Sequence, residues 1–234
     1  MMDYAPRYNR ARFLRVVTFL TGSGLFPALW LMAAAVADAQ TEPPLSARSP
    51  LIDAVARAET DGYARLDEVV NRSAALPDVF DPLLYATAGE TSGIRNDLLA
   101  HLLWLQDREA SHLQQIESLP RRLEEVPTSE PYRSELLAVY AESTPERYAR
   151  VQSIYQAEIS TTEQLLAFVD QIAAGHIRPT PAGFNFRDES AANEYRKTVA
   201  LLNLSFREQD IRISDYHGWE IRQKAGLREF RDQL

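Results

Sequence analysis

Four stretches of this chain carry apolar residues at helical spacing, each bounded by a capping signal and a proline or glycine stop. That pattern excludes most folds other than a helical one. Ser49-Pro50 opens the first, with an N-cap and a proline at the first helical position. Leu51, Val55, Leu66, Val69 and Val70 continue it to about Leu76, and Pro77 stops it. Asp81-Pro82 begins a short helical piece over 83–88, and 89–93 reads as a loop whose Ser92 caps the second long helix. The stripe of that helix runs Leu98, Leu99, Leu102, Leu105, Leu113, Ile116 and Leu119. A charged connection with three prolines spans 120–131, and a shorter helix covers 132–142. Thr144-Pro145-Glu146 starts the third long helix, which Tyr148, Val151, Tyr155, Leu165, Val169 and Ile172 carry to a stop at Gly175. The 176–188 segment reads as a loop pinned by Phe184 and Phe186. The last helix uses Ala192, Tyr195, Val199, Leu202, Phe206 and Ile213, with Gly218 kinking or ending it. No alternating run suggests a strand. The expectation is an all-α fold, an antiparallel bundle of four long helices with short accessory helices, forming a single domain over 50–234.

The first 39 residues read as an export leader. Arg7, Arg10, Arg12 and Arg15 precede an apolar run over 16–37, and Ala37-Asp38-Ala39 supplies a small-x-small cleavage pattern. Cleavage there leaves a flexible lead-in over 40–49 and a periplasmic or secreted protein. The run also approaches the roughly 20 residues of a membrane span. Retained, it would anchor the chain in the inner membrane, with the arginines on the cytoplasmic side.

Charge narrows the partners. The chain holds 25 basic and 33 acidic residues, and loss of the four leader arginines with Asp3 and Asp38 leaves 21 against 31. Such a balance disfavours nucleic acid, and it disfavours membrane unless the leader is retained. The chain has no cysteine, which excludes thiol catalysis, Cys-ligated zinc and iron–sulfur clusters. Gly-x-Ser-x-Gly, a phosphate-cradling glycine loop and His-Glu-x-x-His are all absent. No catalytic residue is assigned, and an enzyme is not the favoured reading.

One acidic residue per long helix projects onto an apolar face: Glu59, Glu109, Glu158 and Asp210. A charge in such a place must be paired, protonated or bound to something. His112 follows Glu109 at i+3. The set resembles the carboxylate-bridged metal sites of ferritin-like bundles, which use Glu from two helices and Glu-x-x-His from two others. The fourth helix departs from it, since Ile213 stands three residues after Asp210. The resemblance implies iron, manganese or another divalent metal held by Glu59, Glu109, His112, Glu158 and Asp210. The alternative is a structural hydrogen-bond network with tyrosines and arginines and no cofactor. His101 and His112 read as boundary residues of the second helix.

The tail interleaves Trp219 and Phe230 with Arg222, Lys224 and Arg228, a basic cluster in an acidic chain. It reads either as a docking helix for an envelope protein or as the last core helix with cations near its C-terminus. Three functions follow: an exported non-enzymatic bundle that binds a partner or serves envelope assembly, a ferritin-like metal binder, or a four-helix small-ligand sensor.

Overall fold

The computed structural model describes residues 50–127 and 133–232, with side chains in the last helix described through residue 223. The leader and the lead-in lie outside the described residues. In chain order the elements are α1 (Pro50–Ala74), a 3-10 turn (Pro82–Tyr85), α2 (Ala88–Glu124), α3 (Arg133–Ala173), β1 (Ile177–Thr180), β2 (Gly183–Phe186) and α4 (Glu189–Asp232). The fold is all-α with one small hairpin. Among the described residues no helix is long and apolar enough to cross a membrane.

Helix starts depart from the expected ones where two capping signals compete. Ser92 does not cap α2. Thr87 does, its hydroxyl accepting the Glu90 N–H at 3.2 Å while the Glu90 carboxylate accepts the Thr87 N–H at 2.7 Å. This reciprocal box satisfies two orphan donors, where Ser92 alone offers one acceptor, and it draws the expected 89–93 loop into the helix.

Two prolines expected to break helices lie inside them. A mid-helix proline costs about 3 kcal/mol or more. Beyond Pro120 the α2 stripe continues through Leu123, which is 2% exposed, and Leu119 beside the proline is 6% exposed. Burying each contributes about 1.5–3 kcal/mol, enough to offset that cost. The α3 stripe likewise passes Pro145 without changing face, from Leu136 and Tyr140 to Arg147 and Val151. Thr144 does not cap a new helix. Its hydroxyl donates back to the Tyr140 carbonyl at 2.8 Å, so the two expected helices are one.

Gly175 does end α3. At φ +70° it occupies the left-handed region, and its N–H donates to the Ile172 carbonyl at 2.9 Å while the His176 N–H donates to Gln171 at 3.0 Å. That pair of bonds is a Schellman ending. The chain then forms an antiparallel hairpin with Ile177 opposite Phe186 and Pro179 opposite Phe184. This corrects the expected loop: each strand is only four residues, too short for alternation to show. Gly218 does not end α4, which runs on to Asp232.

Successive long helices meet in antiparallel register. Arg108 pairs with Glu68 between α2 and α1. Arg95 reaches Asp170 at 2.7 Å and Gln156 reaches Glu109 at 2.7 Å between α2 and α3, and Arg212 donates to the Ser153 carbonyl at 3.1 Å between α4 and α3. The apolar interior divides into three clusters along the helices. One joins the hairpin end, around Leu98, Phe168 and Leu202. A middle one holds Leu105, Tyr155 and Trp219, and the far one holds Leu51, Leu123 and Tyr140.

Candidate functional site

A polar cleft opens where the middle and far clusters meet, bordered by Ile116 of the one and Leu119 of the other. It encloses about 450 Å³ including its mouth. All four long helices contribute: Glu59, Asp61 and Gly62 from α1, His112 and Arg122 from α2, Arg147 from α3, and Tyr216 and Glu220 from α4.

Arg147 stands out on the α3 stripe as a cation where the pattern calls for an apolar residue. It is 6% exposed. Its guanidinium lies over two rings, 5.4 Å from the Tyr140 centroid and 5.5 Å from that of Trp219, and its Nε has no hydrogen-bond partner. No carboxylate forms an ion pair with it among the described residues. The cleft's two glutamates are engaged with tyrosines instead. Glu59 accepts the Tyr140 hydroxyl at 2.7 Å and Glu220 the Tyr216 hydroxyl at 2.9 Å. A buried guanidinium is stable only when its charge is answered. Two aromatic faces answer part of it, at about 0.5–2 kcal/mol each.

Gly62 is the second unusual choice, a glycine inside the 25 residues of α1. It costs about 1 kcal/mol relative to alanine in such a position. A Cβ there would stand 3.7 Å from His112 Nε2, so the missing side chain leaves the cleft open beside the imidazole.

His112 is 2% exposed, with Nδ1 3.3 Å from the Tyr155 hydroxyl. Burial first, then Arg65, Arg108 and Arg147, push its pKa down to about 4. Imidazole is therefore neutral here at pH 7. Burial likewise pushes the Tyr216 and Tyr155 hydroxyls up to about 12, and burial with Glu59 raises Tyr140 further. All three phenols stay protonated as donors.

The His112 displacement carries a pH signature. An unfolded His112 titrates near its ordinary 6.5 and the folded one near 4. Between those values the unfolded chain binds more protons, so stability is present above pH 6.5 and is lost as pH falls through the window. Between pH 7 and 5.5 this histidine alone accounts for a loss of about 1 kcal/mol. Urea midpoints at the two pH values should show that slope, and His112→Gln should remove about 1 kcal/mol of it. An identical slope in the variant would show that His112 titrates normally.

The five expected metal ligands do not converge. Glu59 lines the cleft and accepts the Tyr140 hydroxyl. Glu109 lies at the α2–α3 edge, half-buried, accepting from Gln156. Glu158 is 4% exposed and accepts the Ser73 hydroxyl at 2.9 Å. Asp210 is half-buried, its carboxyl pushed up by desolvation. Among the described residues no group of three or more His, Asp or Glu side chains could hold a metal ion. The reason is height. Helical projection places the acids on inner faces, but Tyr140, which holds Glu59, stands about five turns along α3 from Glu158. His101 and His112 are not boundary residues either: both are 2% exposed, and Ser73 Oγ stands 3.2 Å from His101 Nε2.

Of the expected docking residues, Trp219 is core. It is 3% exposed, stacked 6.1 Å from Tyr216 with Arg147 and Arg150 over its ring. It lies on the inner face of a helix that Gly218 does not interrupt. Arg222 is exposed. The Lys224, Arg228 and Phe230 side chains lie outside the described residues.

Sequence reasoning singled out Glu59 and His112 but missed Arg147, Tyr140, Tyr216, Glu220 and Gly62. The signal for Arg147 was a charge at i+7 from Tyr140 on one stripe, legible only if α3 runs through Pro145. For Gly62 it was an isolated glycine inside a helical pattern. No family model matches this chain, and neither a curated protein nor a solved structure matches it.

Proposed function

We propose that this chain is an exported, non-enzymatic binding protein whose small-ligand seat is the cleft around Arg147. One observation carries the reading: a guanidinium nine-tenths buried, with no ion pair to an acid among the described residues, lining an open cleft. Interiors that serve packing alone place an apolar residue there or pair the charge. The leader pattern from Arg7 to Ala39 supports the address. Of the three functions considered above, this is the small-ligand one. The dispersed acids weigh against the metal reading, and buried Trp219 weighs against docking through that face.

Native mass spectrometry of tag-free protein from the envelope fraction tests it. Wild type should carry a small bound molecule that Arg147→Met lacks, and the mature chain should begin at Gln40. Arg147→Met should stay folded, within about 1–2 kcal/mol of wild type, because the guanidinium's lost aromatic contacts are balanced by relief of its burial. Wild type and variant with the same bare mass would sink the reading. A mass that includes residues 1–39 would remove cleavage.

A further inference from the structure

We propose that the cleft takes a small zwitterion of the α-amino acid class, its carboxylate against Arg147 and its ammonium towards Glu59 and Asp61. The inference rests on the ligand-binding reading above and names the ligand's chemistry.

Charges of both signs line the cleft, Arg147 and Arg122 against Glu59, Asp61 and Glu220. On the α3 side Arg147 presents a planar fork of N–H donors, the geometry that matches a carboxylate. Its Nε lacks a partner, and the guanidinium is held in place between the Tyr140 and Trp219 rings. On the α1 side are Glu59 and the exposed Asp61, with Glu220 opposite on α4. Glu59 and Glu220 each accept one tyrosine hydroxyl. An ammonium N–H is the donor that a carboxylate wall of this kind, with the exposed Asp61 in it, is suited to accept. A simple anion would satisfy Arg147 while facing three carboxylates, and a simple cation would face the buried guanidinium. A ligand with both signs a few bonds apart satisfies each wall.

Size agrees. The depth of the cleft has room for about three water molecules, the scale of an amino acid's charged main-chain atoms, with its side chain directed to the mouth. Gly62 keeps that depth open, since a side chain there would enter the space beside His112 Nε2. His112 Nε2 faces that space, and the neutral ring adds a polar group without charge.

Isothermal titration of the mature chain at pH 7 and matched ionic strength, with glycine, L-alanine, acetate and methylammonium, tests the proposal. Glycine or L-alanine should bind at least about tenfold more tightly than acetate or methylammonium, because each single-charge probe leaves one wall unanswered. Gly62→Leu, a strong helix former that fills the cleft, should weaken glycine binding by at least about tenfold while its melting curve stays cooperative. If that variant fails to fold, Arg147→Met provides the same readout. Acetate or methylammonium binding as tightly as glycine would overturn the zwitterion and leave the cleft as a ligand seat. So would absence of heat from both amino acids beside a bound molecule seen by mass. Unchanged glycine affinity in Gly62→Leu, or in Arg147→Met, would place binding elsewhere and overturn the proposal.

Discussion

Phe168→Ala is expected to cost about 3–5 kcal/mol, the largest loss from any single truncation at the hairpin end. Phe168 is 2% exposed and meets three rings. The Phe80 centroid lies at 4.9 Å, Phe184 of β2 at 5.5 Å and Tyr195 of α4 at 5.7 Å. Aromatic pairs of this kind contribute about 0.5–1.5 kcal/mol each beyond burial, though not additively. Alanine removes all three pairs and leaves a cavity whose walls are rings from separate elements, which cannot collapse together. For a chain of this size the loss corresponds to roughly a 10 °C fall in melting temperature. Phe168→Leu keeps most of the volume and should recover more than half. A midpoint for Phe168→Ala within about 1 kcal/mol of wild type would show that the hairpin does not depend on this ring. Ligand binding at the cleft should persist in the folded fraction, since the middle cluster separates the two.

Glu158→Ala is expected to destabilise by about 2–4 kcal/mol, through a different mechanism. The carboxylate is 4% exposed and accepts the Ser73 hydroxyl at 2.9 Å, joining α3 to α1. Ser73 Oγ also stands 3.2 Å from His101 Nε2 of α2. Alanine withdraws the acceptor from a buried hydroxyl and opens a void beside it. Glu158→Gln keeps the shape and one acceptor oxygen, so its loss should be about half as large. Urea denaturation at pH 7 separates the two. Equal losses for Gln and Ala would show that the negative charge, not the accepted bond, matters there, and no loss for Ala would remove the network's structural role. Added divalent metal should stabilise neither wild type nor variant if Glu158 serves structure alone.

Two of the four acids projected onto inner faces hold hydrogen-bond partners from another helix there, Glu59 with Tyr140 and Glu158 with Ser73. What the projection could not supply was height, because helical angle repeats every turn while position along the axis depends on how neighbouring helices are offset. So a ligand set that shares a face in projection is dispersed in space. Arg147 was missed for a related reason. Reading Pro145 as a start cut the stripe of Leu136, Tyr140, Arg147 and Val151 in two.

The amino-acid order alone settled the helical class, the Gly175 ending and the identity of most core residues, because period and capping are local properties carried by each segment. Whether a proline interrupts a helix, whether four residues of Ile177–Thr180 pair as a strand, and which charges share a cleft were decided by packing. Those outcomes depend on free energies gained between segments distant in the chain, and such terms outweigh local preferences of a few kcal/mol.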